Sequence, residues 1–141
     1  MAPEGAKIKM VTVEEANSLL PQVRLTLRAL REKRSVVLRT QAQIEIEEMT
    51  GSDANGKLSG AAQAAISKLM EAFHYQTRQF EEKLDELFQT GAHLKDLDLG
   101  LVDFYHRRGN EVVLLCWKEG EDEIGHWHGL QGGYSTRQPL M

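Results

Sequence analysis

Between residues 12 and about 90, apolar side chains recur every three or four positions; from about 100 onward they alternate with polar ones in short runs. The first spacing puts a stripe along one side of a helix. The second turns one face of a strand toward a core. The change predicts an α+β protein: a long antiparallel helical hairpin (about 12–49 and 59–90), then a small antiparallel β-meander (about 100–130). A chain of 141 residues fits a single domain, 1–141, with the hairpin in 12–91 and the meander and tail in 92–141.

Local signals sharpen this picture. "TVEE" opens the first helix as a capping box: Thr12 can cap it, Glu15 can reach back, and Val11 precedes as a staple. Pro21 lacks an N–H and predicts a kink or a restart. Val23, Leu27, Leu30, Val37 and Ile44 form a narrow stripe with coiled-coil spacing, interrupted at Arg34 and Gln41. "GSDANGKLS" is a turn, with Ser59 placed to cap the second helix. That helix carries Ala62, Ile66, Leu69, Phe73, Phe80, Leu84 and Leu87, and Gly91 ends it. Folding about residue 54 brings the arginine-rich front of the first helix beside Glu81, Glu82, Asp85 and Glu86 of the second, so the basic run reads as a paired, solvated face. "LVDFYH", "RRGN" and "EVVLLCWK" read as a hairpin, "EGED" as a turn, "EIGHWH" as a third strand, and the tail as irregular but packed. Two such narrow stripes leave apolar surface uncovered. A homodimer, pairing two hairpins into a four-helix bundle, would cover it.

Composition narrows the function classes. A net charge of -4 argues against a nucleic-acid binder. No run approaches the roughly 20 apolar residues of a membrane span, and the opening residues lack a signal-peptide core. With one cysteine there is no internal disulfide. A cytoplasmic location is the expectation, with neither nucleic acid nor membrane as a partner.

The chemistry concentrates in "LCWKEGEDEIGHWHG", residues 115 to 129, which holds the single cysteine, both tryptophans, two of the five histidines and four carboxylates. Cys116, His126 and His128 offer one thiolate and two imidazoles, a donor set suited to zinc or another transition metal, with Asp103, Glu121 or Glu123 as a fourth ligand. Strand register decides whether they meet. A two- or four-residue turn puts Cys116 and Trp127 on one face and both histidines on the other, beside Val113 and Leu115; an odd-length loop unites all three ligands. The tight turn is the expected case, giving a packed hairpin with Cys116 as a small hydrophobe and both tryptophans as core anchors. Asp103, in an apolar run, needs a partner if buried. Arg137 is expected to provide it as a structural ion pair; alternatively Arg137, beside Gly132 and Gly133, binds a small anion. Histidines and carboxylates here could serve as acid and base, yet no nucleophile elbow, phosphate loop or dinucleotide fingerprint accompanies them, so catalysis is not the expectation.

The stretches "TVEEANSLLPQV" (12–23), "KDLDLGLVDF" (95–104), "LCW" (115–117), "GEDEIGHWH" (120–128) and "RQPL" (137–140) resemble a prokaryotic family known as domain-of-unknown-function family 2203. The resemblance covers nearly the whole chain, its C-terminal text being the specific part. The family has no established activity, so the resemblance implies no mechanism. The residues therefore carry the functional expectations. The first is a non-catalytic cytoplasmic homodimer acting as scaffold or interaction protein, without a cofactor. The alternatives are a metal-binding protein centred on His126 and His128, with Cys116 or a carboxylate, and a small-anion binder at Arg137.

Overall fold

The computed structural model describes residues 8–141; residues 1–7, part of the opening stretch read above for a signal peptide, lie outside the described residues. The fold is α+β. Helix α1 (Val13–Thr50) and helix α2 (Gly60–Gln89) form a hairpin. Five strands follow: β1 (Ala92–Asp96), β2 (Leu101–Arg108), β3 (Glu111–Lys118), β4 (His126–His128) and β5 (Gln138–Pro139). Every neighbouring pair is antiparallel and the sheet order follows the chain, β1-β2-β3-β4-β5, a meander. No helix among the described residues is long and apolar enough to cross a membrane.

Compared with the expectation, the sheet is wider. It begins at Ala92 rather than about 100, and the tail, expected to be irregular, adds β5. Both additions are edge strands, where pairing on one side tolerates polar residues and proline. The helix also runs through Pro21 without a restart.

The chain divides into two compact units. The first comprises the chain up to Ala29 together with Lys83–Met141. Its core is one face of the sheet, Val102, Phe104, Val113, Leu115 and Trp117, together with Val11, Ala16, Leu20, Val23, Leu27, Leu87 and Ile124. The capping box forms as read: the Glu15 amide donates to Thr12 Oγ1 at 3.0 Å and the Thr12 amide to Glu15 Oε1 at 2.9 Å. Four contacts hold the start of α1 on β3 and the β3–β4 loop. Asn17 Oδ1 accepts from the Ile124 amide at 2.6 Å, Arg24 donates to the Glu121 and Asp122 carbonyls, and its guanidinium lies 5.3 Å from the Trp117 ring centroid.

The second unit is Leu30–Glu82, the distal part of the two helices and their loop. Asp53 Oδ1 accepts from the Asn55 and Lys57 amides, closing the turn, and Ser59 Oγ accepts from the Ala62 amide as the cap of α2. Gly51 is required where the helices meet, because a side-chain carbon there would overlap Ala62. Leu30, Ile44 and Ala62 are buried in this unit, whereas Val37, Ile66, Leu69, Phe73 and Phe80 are only half-buried.

Candidate metal centre on the outer face of the sheet

The sheet face away from Trp117 and Phe104 is where the polar residues meet. Antiparallel pairing aligns His93 with Asp103, Asp103 with Cys116, and Cys116 with His126, one residue from each of β1 to β4 in a cross-strand row. His128 pairs with Leu114 one step along, on the same face. This corrects the expected register. Between the paired Cys116 and His126 lie nine residues, 117 to 125, an odd number, so Cys116 shares a face with both histidines and Trp127 lies opposite Leu115. The loop is longer than a tight turn because it folds around itself: the Trp117 indole donates to the Glu121 carbonyl at 3.0 Å, and the Lys118 amide donates to Glu121 Oε1 at 2.8 Å. Ile124 then drops into the core.

On this face the Asp103, Cys116 and His128 side chains offer three ligand atoms, all within 4.8 Å of one another. All three residues are buried, at 2%, 0% and 3% exposure. His128 is the best defined. Its Nδ1 lies 2.8 Å from the Gly129 carbonyl, which can only accept, so Nδ1 must carry a proton. Nε2 then faces Asp103 Oδ2 at 3.1 Å, and the two atoms hold one proton between them. Burial pushes the Asp103 carboxyl up from its ordinary value, against the pull of His128. The other oxygen, Oδ1, is buried without a hydrogen-bond partner. Burial, then the neighbouring Asp103 charge, push the Cys116 thiol up to about 11. A thiol so high is not a nucleophile at neutral pH, and with both ring nitrogens engaged His128 has none left to activate it.

The expected Asp103–Arg137 pair is replaced by two others. Asp103 takes His128, and Arg137 forks onto Glu121, with Nη1–Oε1 at 3.0 Å and Nη2–Oε2 at 2.7 Å. Arg137 also stacks on Tyr134, 4.3 Å from the ring centroid. Both ends of its fork are filled, so an anion at Arg137 would have to displace Glu121. Burial alone would raise the Glu121 carboxyl, but the Arg137 fork and the Lys118 amide together hold it below the usual range. His126, the third proposed ligand, is Cys116's strand partner but turns toward Glu121, with Nδ1 3.8 Å from Oε2, and stays outside the close group. Asp103, read from the sequence as a partner for Arg137 or a fourth ligand, belongs to the central trio instead; its signal was a lone carboxylate in the apolar run "GLVDF". Glu123 is exposed.

No curated protein and no solved structure matches the chain. The family of uncharacterised conserved proteins designated DUF2203 does match, over residues 9–140, and with nearly the whole chain covered the protein belongs to that family.

Proposed function

We propose that the protein binds a transition-metal ion of the zinc class through Asp103, Cys116 and His128. The observation that carries this reading is the buried trio itself, in which the Gly129 carbonyl already fixes the histidine tautomer that a metal needs. A neutral imidazole with Nδ1 protonated presents the Nε2 lone pair toward Asp103. The donor set of one thiolate, one imidazole and one carboxylate suits zinc, cobalt or ferrous iron. Tetrahedral zinc spaces its ligand atoms about 3.5 Å apart. The widest separation, at most 4.8 Å, would then close by roughly 1 Å. Loading displaces the thiol proton and the proton shared by Asp103 and His128, so affinity rises with pH.

The test is protein purified without a histidine tag, analysed for metal and loaded with cobalt(II). The expected result is a stoichiometric ion and a sulfur-to-cobalt charge-transfer band. Cys116→Ala abolishes the band and His126→Ala leaves it. Absence of bound metal, together with a chelator that does not change the melting temperature, would remove the reading.

A second reading, the homodimeric scaffold, has its own support and is compatible with the first. In the unit Leu30–Glu82, Leu38, Ile46, Met49, Met70 and Tyr75 are exposed, and Val37, Ile66, Leu69, Phe73 and Phe80 are only half-buried. Exposed apolar side chains on both helices favour association with a second hairpin. Light scattering across a concentration series tests it.

A further inference from the structure

We propose that the cavity beside the trio is the binding site of a short-chain carboxylate, which takes the open position on the bound ion. The inference rests on the metal reading above and adds the class of ligand. Asp103 and His128 form part of the wall of a cavity of about 200 Å³. Leu101 and Leu114 line it from the sheet, Leu130 from the segment after β4, and Lys95 from β1. Three protein ligands leave a tetrahedral ion one vacant position, the arrangement of sites that take an exogenous ligand. The trio is buried, so such a ligand must approach from a space the trio borders, and this cavity is one.

The walls select the ligand. A doubly charged cation with one carboxylate, one thiolate and one neutral imidazole is electrically neutral. An anion on the fourth position leaves one negative charge over, and the Lys95 ammonium is placed to offset it. Leu101, Leu114 and Leu130 give the ligand's body an apolar stretch of wall, and Gly132, Gly133 and Tyr134 complete the lining. At about 200 Å³ the cavity lies below the usual range for larger ligands and takes a small molecule.

The experiment uses the full chain loaded with cobalt(II) and titrates acetate, propionate, butyrate and inorganic phosphate separately. The visible bands report the coordination, and the charge-transfer band confirms that Cys116 stays bound. The expected result is a saturable change in the visible bands with the carboxylates. Lys95→Gln, on an exposed residue at the sheet edge, should weaken the response about tenfold without loss of the charge-transfer band. An intact charge-transfer band with no response to any carboxylate would overturn the inference and leave the metal reading standing. A tighter response to phosphate than to any carboxylate would overturn the ligand class, and an unchanged response in Lys95→Gln would overturn the role of the cation. No charge-transfer band at all would remove the metal reading, and this inference with it.

Discussion

Cys116 is a buried thiol held at about 11, against an ordinary value of 9.0. In the metal-free protein its folded value lies above its unfolded one. The stability this contributes is therefore complete below about 9 and falls as the pH rises toward about 11. Urea unfolding of chelated protein at several alkaline pH values should show the wild type losing more stability over that window than Cys116→Ala, in which the titration is gone. Cys116→Ser should cost roughly 1 to 3 kcal/mol unless its hydroxyl finds a partner, and more than Cys116→Ala. The clasp between Glu121 and Arg137 has the opposite pH sign. The Glu121 carboxyl is held low, so its contribution is present above the unfolded value and fades as the pH falls through the folded one. Arg137→Ala should cost about 1 to 2 kcal/mol at neutral pH, read as a lower melting temperature, and the cost should shrink in acid. The sequence named Cys116, His128, Asp103 and Arg137 by chemical type but paired two of them wrongly. Arg137 had 21 acidic side chains to choose from, and only the folding of the β3–β4 loop brings Glu121 to it.

At the scale of elements, the helices were legible and the register was not. Long periodic runs, the Thr12–Glu15 box and the Ser59 cap specify α1 and α2 from nearby residues alone. The β3–β4 register depends instead on a contact between residues far apart in sequence: Asn17, on α1, receives the Ile124 amide. "EGED" marks a turn correctly, but parity is set by how many residues the loop uses to bury Ile124. The alternation of "AHLKDLDLG" after Gly91 marked β1 without giving its bounds, and β5 escaped notice because an edge strand of two residues needs only one partner. Asn17→Ala should cost about 1 to 3 kcal/mol, since it leaves the Ile124 amide without its acceptor. Deleting Gly125, which makes the loop even, should turn His126 and His128 to the other face. The deletion variant should fail to produce the cobalt–thiolate band of the wild type, and a retained band would refute the register argument.

For the whole molecule, the exposed apolar residues of the Leu30–Glu82 unit separate folding from association. Leu30 is fully buried, so Leu30→Asp should disrupt the fold itself. Leu38 is 54% exposed, so Leu38→Asp should leave the fold nearly intact and weaken the dimer. The wild type should be dimeric at about 100 μM by light scattering, well above a micromolar dissociation constant. A monomer at that concentration refutes the association. The two borders of the sheet bear on the same question from another side. β1 has a register irregularity between Leu94 and Asp96 and carries Lys95, while β5 is two residues long and includes Pro139, which has no N–H to donate. Irregular, charged, very short and proline-bearing borders are those to which a further strand does not add. The meander is thereby protected against edge-to-edge growth and amyloid-like stacking.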